Sequence, residues 1–110
     1  MPGKFELKTA KNGQVSFTLK ASNGEVLLAS QRYTARKHAK KGIASVQKNA
    51  AEPTRYVPQT SRKGEPYFVL RAGNHQPIGT SVKYASAKAM EKGIKSVQRT
   101  APGARVEDLS

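Results

Sequence analysis

Shifted by 51 positions, the sequence lies over itself without a gap: residues 12–50 match residues 63–101. The matched pairs include Gly13/Gly64, Phe17/Phe68, Leu19/Leu70, Tyr33/Tyr84, Gly42/Gly93, Ser45/Ser96, Val46/Val97 and Gln47/Gln98. A unit of about 50 residues is marginal as a lone hydrophobic core, so two copies are expected to share one. The repeat therefore predicts a single domain over 1–110, made of repeat 1 (3–52) and repeat 2 (53–110).

Within each copy the hydrophobic period changes once. Phe5 and Leu7 alternate with Lys4, Glu6 and Lys8, and Val15, Phe17 and Leu19 alternate with Ser16, Thr18 and Lys20. Period two marks half-buried strands. Asn12-Gly13 and Asn23-Gly24 suit type I′ hairpin turns, giving a three-stranded meander ending at Glu25–Ser30. From Thr34, a plausible N-cap, the apolar positions Ala35, Ala39, Ile43, Val46 and Ala50 fall on one helical stripe. The second copy repeats the order: a strand over Arg55–Thr60 with Pro58 suited to a sheet edge, a strand around Phe68 and Leu70, another over Pro77–Val82, and a helix over Ser86–Arg99. Arg105–Asp108 reads as a last short strand. Gly42 and Gly93 each cost about 1 kcal/mol relative to Ala inside a helix, which suits a close approach of helix to sheet.

The turn at Asn23-Gly24-Glu25, the helical stretch Gly42–Asn49 and the run Ala72–Gly79 followed by Ser81 and Tyr84 resemble the YegP-like family. The resemblance spans residues 3–107 and both copies. It implies an α+β fold of two tandem β-β-β-α(-β) repeats. These form a single antiparallel sheet with both helices on one face and terminal strands exchanged between repeats; single-unit members reach the same arrangement as dimers. Thr100 departs from the closing Asn of that helix motif, held by Asn49 in the first copy; Asn there reads as a C-cap. The resemblance brings no catalytic residue with it.

The formal net charge is +13, with +8 on residues 1–50 and +5 on 51–110. Such a field attracts polyanions: nucleic acid, an anionic membrane surface or an acidic protein. The absence of cysteine excludes disulfides and thiolate chemistry. No apolar run approaches the length of a membrane span and no signal-peptide core follows Met1, so no membrane insertion and a cytoplasmic location are expected.

Catalytic and metal sites are not expected, nor a cofactor. His38 lies on the polar side of the first helix, opposite Ala89 in the repeat, and His75 sits in a turn. No His, Cys or carboxylate spacing suits a metal, and the seven acids are scattered. Ser45 and Ser96 read as helix serines bonding back to a carbonyl. Tyr33 and Tyr84 read as packing groups with satisfied hydroxyls.

Two surfaces remain as candidates. The outer sides of the helices carry Arg36, Lys37, Lys40, Lys41 and Lys48 on one, and Lys88, Lys92, Lys95 and Arg99 on the other. Such ridges make phosphate contacts without sequence information. The outward sheet face carries Lys8, Lys20, Tyr67, Val69 and Arg71. There Tyr67, Val69 and Arg71 could bind a partner or stack a base. The expectation is a small basic non-enzymatic protein, a monomeric pseudo-dimer, touching nucleic acid nonspecifically through the helix lysines. The alternative is a protein interaction module using the sheet face or an edge.

Overall fold

The computed structural model describes residues 3–109. The alternating segments become β1 (Lys4–Thr9) and β2 (Val15–Lys20), followed by β3 (Val26–Ala29) and helix α1 (Arg36–Asn49). After α1 come β4 (Tyr56–Thr60), β5 (Pro66–Arg71), β6 (Pro77–Thr80), α2 (Ala87–Thr100) and β7 (Arg105–Asp108). Inward residues of both copies, including Phe5, Phe17, Leu19, Leu28, Phe68 and Leu70, are fully buried in one cluster with Val46 of α1 and Val97 of α2.

The four hairpin turns follow one plan that differs from type I′. Only one residue in each turns left-handed: Gly13, Gly24, Gly64 and, in the fourth, His75 at φ 70°. A type I′ turn needs two such residues, whereas a type I turn followed by one left-handed residue needs one. In three of them an Asn side chain, of Asn12, Asn23 or Asn74, accepts from the backbone N–H two residues on at 3.0–3.1 Å. In the other, Ser61 Oγ accepts from the Glu65 N–H at 3.1 Å. His75 is thus a turn residue in a glycine's place.

The helix starts also differ from expectation. Ala35, not Thr34, is the residue before α1, and its side chain makes no capping bond. The matched Ser86 does cap α2, its Oγ accepting from the Ala89 N–H at 3.1 Å. Asn49 is no left-handed C-cap. It lies in the last turn of α1, donating to Ser45 O at 2.8 Å and accepting from Arg55 Nε at 3.1 Å. Ser45 Oγ accepts from the same amide at 3.3 Å. The serine therefore supports Asn49 rather than bonding back along the helix.

One sheet runs β4-β5-β6-β3-β2-β1-β7, with the two copies meeting antiparallel at β3 and β6. Strand β4 follows α1 yet pairs with β5 of the second copy, and β7 follows α2 yet pairs with β1 of the first. The terminal strands are thus exchanged, as the family resemblance implies. Strand β7 runs parallel to β1, so the sheet is mixed at that end. The cause is the extra N-terminal strand: β1 occupies the antiparallel place beside β2, and β7 adds outside it. Helix α1 touches β2, β5 and β6, and α2 touches β3 and β5, so both lie on one face.

The β4 edge is outermost, as Pro58 suggested. Phe68, opposite Pro58, directs its N–H and C=O to Ser81 on the β6 side. Pro58 therefore faces the open edge, where it has no N–H to offer. The Tyr56 N–H, which shares that edge, is already bonded to Pro53 O. An added strand would find two donors missing there, so the edge resists pairing with another chain.

Candidate functional site

The two histidines lie far apart in role. His38 is exposed on α1 and His75 is exposed in its turn. Among the described residues no group of three or more His, Cys, Asp or Glu could hold a metal ion. The Tyr84 hydroxyl is held above the usual phenol range by burial first and by the charge of Glu25 second.

The outward sheet face is divided at the junction of the copies. On the first half a line of paired charges crosses the strands. Lys20 Nζ is 2.8 Å and Lys4 Nζ 3.3 Å from Glu6, Lys4 is 3.2 Å from Glu107, and Arg105 is 3.6 Å from Glu107. The Lys20 ammonium holds the Glu6 carboxyl below the usual carboxylate range, against the opposing pull of burial, with Lys4 adding to the effect. The Lys4 ammonium is held above its usual value by Glu107, then Glu6.

A pH dependence follows. The folded pKa of Glu6 is depressed, so its contribution is present above the unfolded carboxylate value and lost as pH falls through the folded one. Urea midpoints measured against pH are expected to fall on acidification below the ordinary Glu range. Glu6→Gln is expected to flatten that limb; an identical acid limb in the variant would contradict the assignment.

On the second half the matched positions differ. Val57 stands where the first copy has Glu6, Arg71 where it has Lys20, and Tyr67 and Val69 where it has Ser16 and Thr18. Val57 lies opposite Val69, and Gln59 opposite Tyr67, on this same face. Arg71 has lost its counter-carboxylate: its Nε is buried without a hydrogen-bond partner among the described residues. Lys83 Nζ stands 5.9 Å from the centroid of the Tyr67 ring, within cation–π range. Beside them an open hollow of about 330 Å³ is lined by Ser61, Arg62, Lys63, Glu65 and Lys83. Sequence reasoning picked out Tyr67, Val69 and Arg71 but missed Lys83, Arg62 and Lys63, which sit in loops. The signal that could have found the asymmetry is the Glu6/Val57 mismatch in the repeat.

The helix cations all lie outward. Lys37, Lys40, Lys41 and Lys48 on α1 and Lys88, Lys92, Lys95 and Arg99 on α2 are exposed. Arg36 differs, since its guanidinium binds Asp108 of β7 at 2.7 Å. On α2, Lys92, Lys95 and Arg99 line an open groove of about 610 Å³ with Ser96 and Gln98. A second hollow of about 570 Å³, between α2 and the β2–β3 hairpin, shares Ser96 and Arg99. On α1, Lys40 lines a separate hollow of about 360 Å³ with Ile43, Ala44, Gln47, Val106 and Asp108.

This tandem geometry has known counterparts. The family model described as "Domain of unknown function (DUF1508)" matches twice, over residues 10–56 and 61–108. A UPF0339 protein of Acinetobacter baylyi is 48% identical over 110 residues, covering 100% of this chain and 99% of its own length. YegP of Yersinia pestis is 47% identical, covering 98% of this chain and 96% of its own length. The chain belongs to the YegP (UPF0339) family. The YegP fold is also seen in a solution NMR structure of the Escherichia coli protein, 45% identical, with a TM-score of 0.93, covering 99% of this chain and 94% of the other. A UPF0339 protein of Shewanella oneidensis superposes with a TM-score of 0.92 at 45% identity, covering 99% and 92%. These YegP relatives point to no enzymatic family, and the E. coli structure is described as a protein of unknown function. Among the described residues no helix is long and apolar enough to cross a membrane.

Proposed function

We propose that this protein is a small non-enzymatic, cytoplasmic binding protein that engages nucleic acid without sequence preference through its helix lysines. The observation that carries the reading is the groove on α2, where Lys92, Lys95 and Arg99 converge with no carboxylate in the lining. Among the described residues these cations, and Lys37, Lys40, Lys41, Lys48 and Lys88, form no ion pair. Nor do the first turns of the helices carry an acid. Exposed ammonium groups without partners keep their full attraction for phosphate, and counterion release supplies the affinity. They reach phosphates, not base edges, so the binding carries no sequence information.

The test is a titration of labelled duplex DNA at low and at high salt. The wild-type protein is expected to lose affinity steeply with salt. Replacing Lys37, Lys40, Lys41, Lys88, Lys92 and Lys95 by Gln is expected to weaken binding more than about tenfold and to flatten the salt dependence. Unchanged affinity and slope would overturn the reading. An interaction through the β4 edge is disfavoured by the missing donors at Tyr56 and Pro58.

A further inference from the structure

We propose that the outward sheet face of the second repeat is a separate site for single-stranded nucleic acid, with Tyr67 as its stacking platform. The site does not depend on the helix lysines, which lie on the other side of the sheet.

Three observations point to an anionic ligand with flat apolar groups. The first is the divided charge of the face. On the first half the cations around the two acids are paired: Lys4 and Lys20 meet Glu6, and Lys4 and Arg105 meet Glu107, while Lys8 at the far end of β1 has no ion pair among the described residues. On the second half Val57 replaces that central carboxylate, and Arg71 is left with a buried Nε that nothing in the chain satisfies among the described residues. An enclosed guanidinium nitrogen without a partner is costly. A phosphate on the outer nitrogens of the Arg71 guanidinium supplies the missing counter-charge, the enclosed Nε itself lying out of a ligand's reach.

The second is the placement of the ring. Tyr67, Val69 and Arg71 alternate along β5 and share a face, half-buried, with Val57 beside Val69 on the neighbouring strand. This gives a ring, an apolar strip and a cation in a row along one strand, spaced by about 7 Å per step. Aromatic rings on a sheet with cations tracking the backbone are the recurring means of holding single strands. A duplex, whose bases are already stacked, has no flat group to offer the ring.

The third is the cationic hollow at one end. Arg62, Lys63 and Lys83 surround it with Glu65 as the lone acid. Lys83 reaches from there to the Tyr67 ring. A phosphate drawn into the hollow takes up the Lys83 ammonium and leaves the ring to a base. An acidic peptide would also answer the cations, but it would leave the ring unused.

The experiment measures anisotropy of a labelled oligothymidylate and of a labelled duplex with the full chain. Tyr67→Ser, which installs the residue of the first copy, is expected to weaken oligothymidylate binding by at least about fivefold and to leave duplex binding unchanged. Tyr67→Trp is expected to retain single-strand affinity and to show quenching of its indole fluorescence on binding, which tests the platform even if Tyr67→Ser folds poorly. Arg71→Gln is expected to lower single-strand affinity as well. The six-lysine variant described above is expected to keep a Tyr67-dependent response, so loss of the helix reading would leave this one standing. Equal oligothymidylate affinity in wild type and Tyr67→Ser, or an unquenched indole in a complex that forms, would overturn the proposal. So would displacement of the oligonucleotide by polyglutamate with the same Tyr67 dependence, which would assign the face to an acidic protein.

Discussion

Phe68→Ala is expected to lower the folding free energy by about 3–5 kcal/mol. Phe68 is 0% exposed and sits in the middle of an aromatic trio. Its ring meets Tyr56 edge-on at 5.5 Å and stacks with Tyr84 at 6.3 Å and 11°. The backbone of the same residue is bonded on both sides of its peptide to Ser81, which limits how far the strand can collapse into a cavity. The first copy builds the same trio from Phe5, Phe17 and Tyr33, with centroid distances of 5.9 and 6.2 Å. Phe17→Ala is therefore expected to cost a similar amount.

A domain of this size is stable by only about 5–15 kcal/mol, so either substitution consumes much of the margin. The shared core adds a further expectation. Buried residues of both copies form one cluster, so urea unfolding of either variant should remain one transition at a lower midpoint. Two transitions, with the unmutated copy surviving, would show that the repeats fold separately.

Much of this architecture was legible in the chain because burial alternates visibly. Phe5, Leu7, Val15, Phe17 and Leu19 are the inward positions of period-two segments, and all are buried. The change of period at the helices was equally plain. What escaped was set by single hydrogen bonds rather than by pattern. Thr34 looked like the cap of the first helix, but Ala35 stands between it and α1, while Ser86, read as the first residue of the second helix, caps α2 from one residue before it. Asn-Gly suggested type I′ turns, yet the asparagines cap the turns with their side chains and only the next residue turns left-handed. The parallel pairing of β7 depends on β1 having taken the place beside β2, which no local signal encodes.

The candidate surfaces were partly legible for the same reason. The helix lysines follow from period alone. The unbalanced half of the sheet face depends on pairing Glu6 with Lys20 across strands in one copy and on the absence of that pair in the other. The identities are in the sequence; the register that makes them neighbours is not.

The paired helix glycines carry the other large expected effect. A Cβ built on Gly93 would stand against the Tyr84 hydroxyl and 2.6 Å from Tyr84 Cζ. One on Gly42 would meet the Tyr33 hydroxyl, with Tyr33 Cζ and Phe17 Cε2 at 3.0 Å. The tyrosines are held in place by stacking on Phe68 and Phe17, so the rings cannot swing aside cheaply. Gly→Ala in a helix interior gains about 1 kcal/mol in propensity, while forcing atoms into a packed site costs about 1–3 kcal/mol or more. The clash is the larger, and Gly93→Ala is expected to lose about 2 kcal/mol net.

The partner residue separates this cause from a general loss of helix stability. Tyr84→Phe removes the hydroxyl that meets the new methyl but leaves Cζ in place. Gly93→Ala with Tyr84→Phe is therefore expected to recover part of the loss, not all. Measured as a double-mutant cycle in urea, the two substitutions should show a favourable coupling of about 0.5–1 kcal/mol. Additive effects would mean that the helix glycine serves something other than the tyrosine beneath it. The same cycle at Gly42 and Tyr33 should give a smaller loss, because its Cβ position is less crowded. The order of the two losses thus tests whether the depth of the tyrosine contact decides the cost.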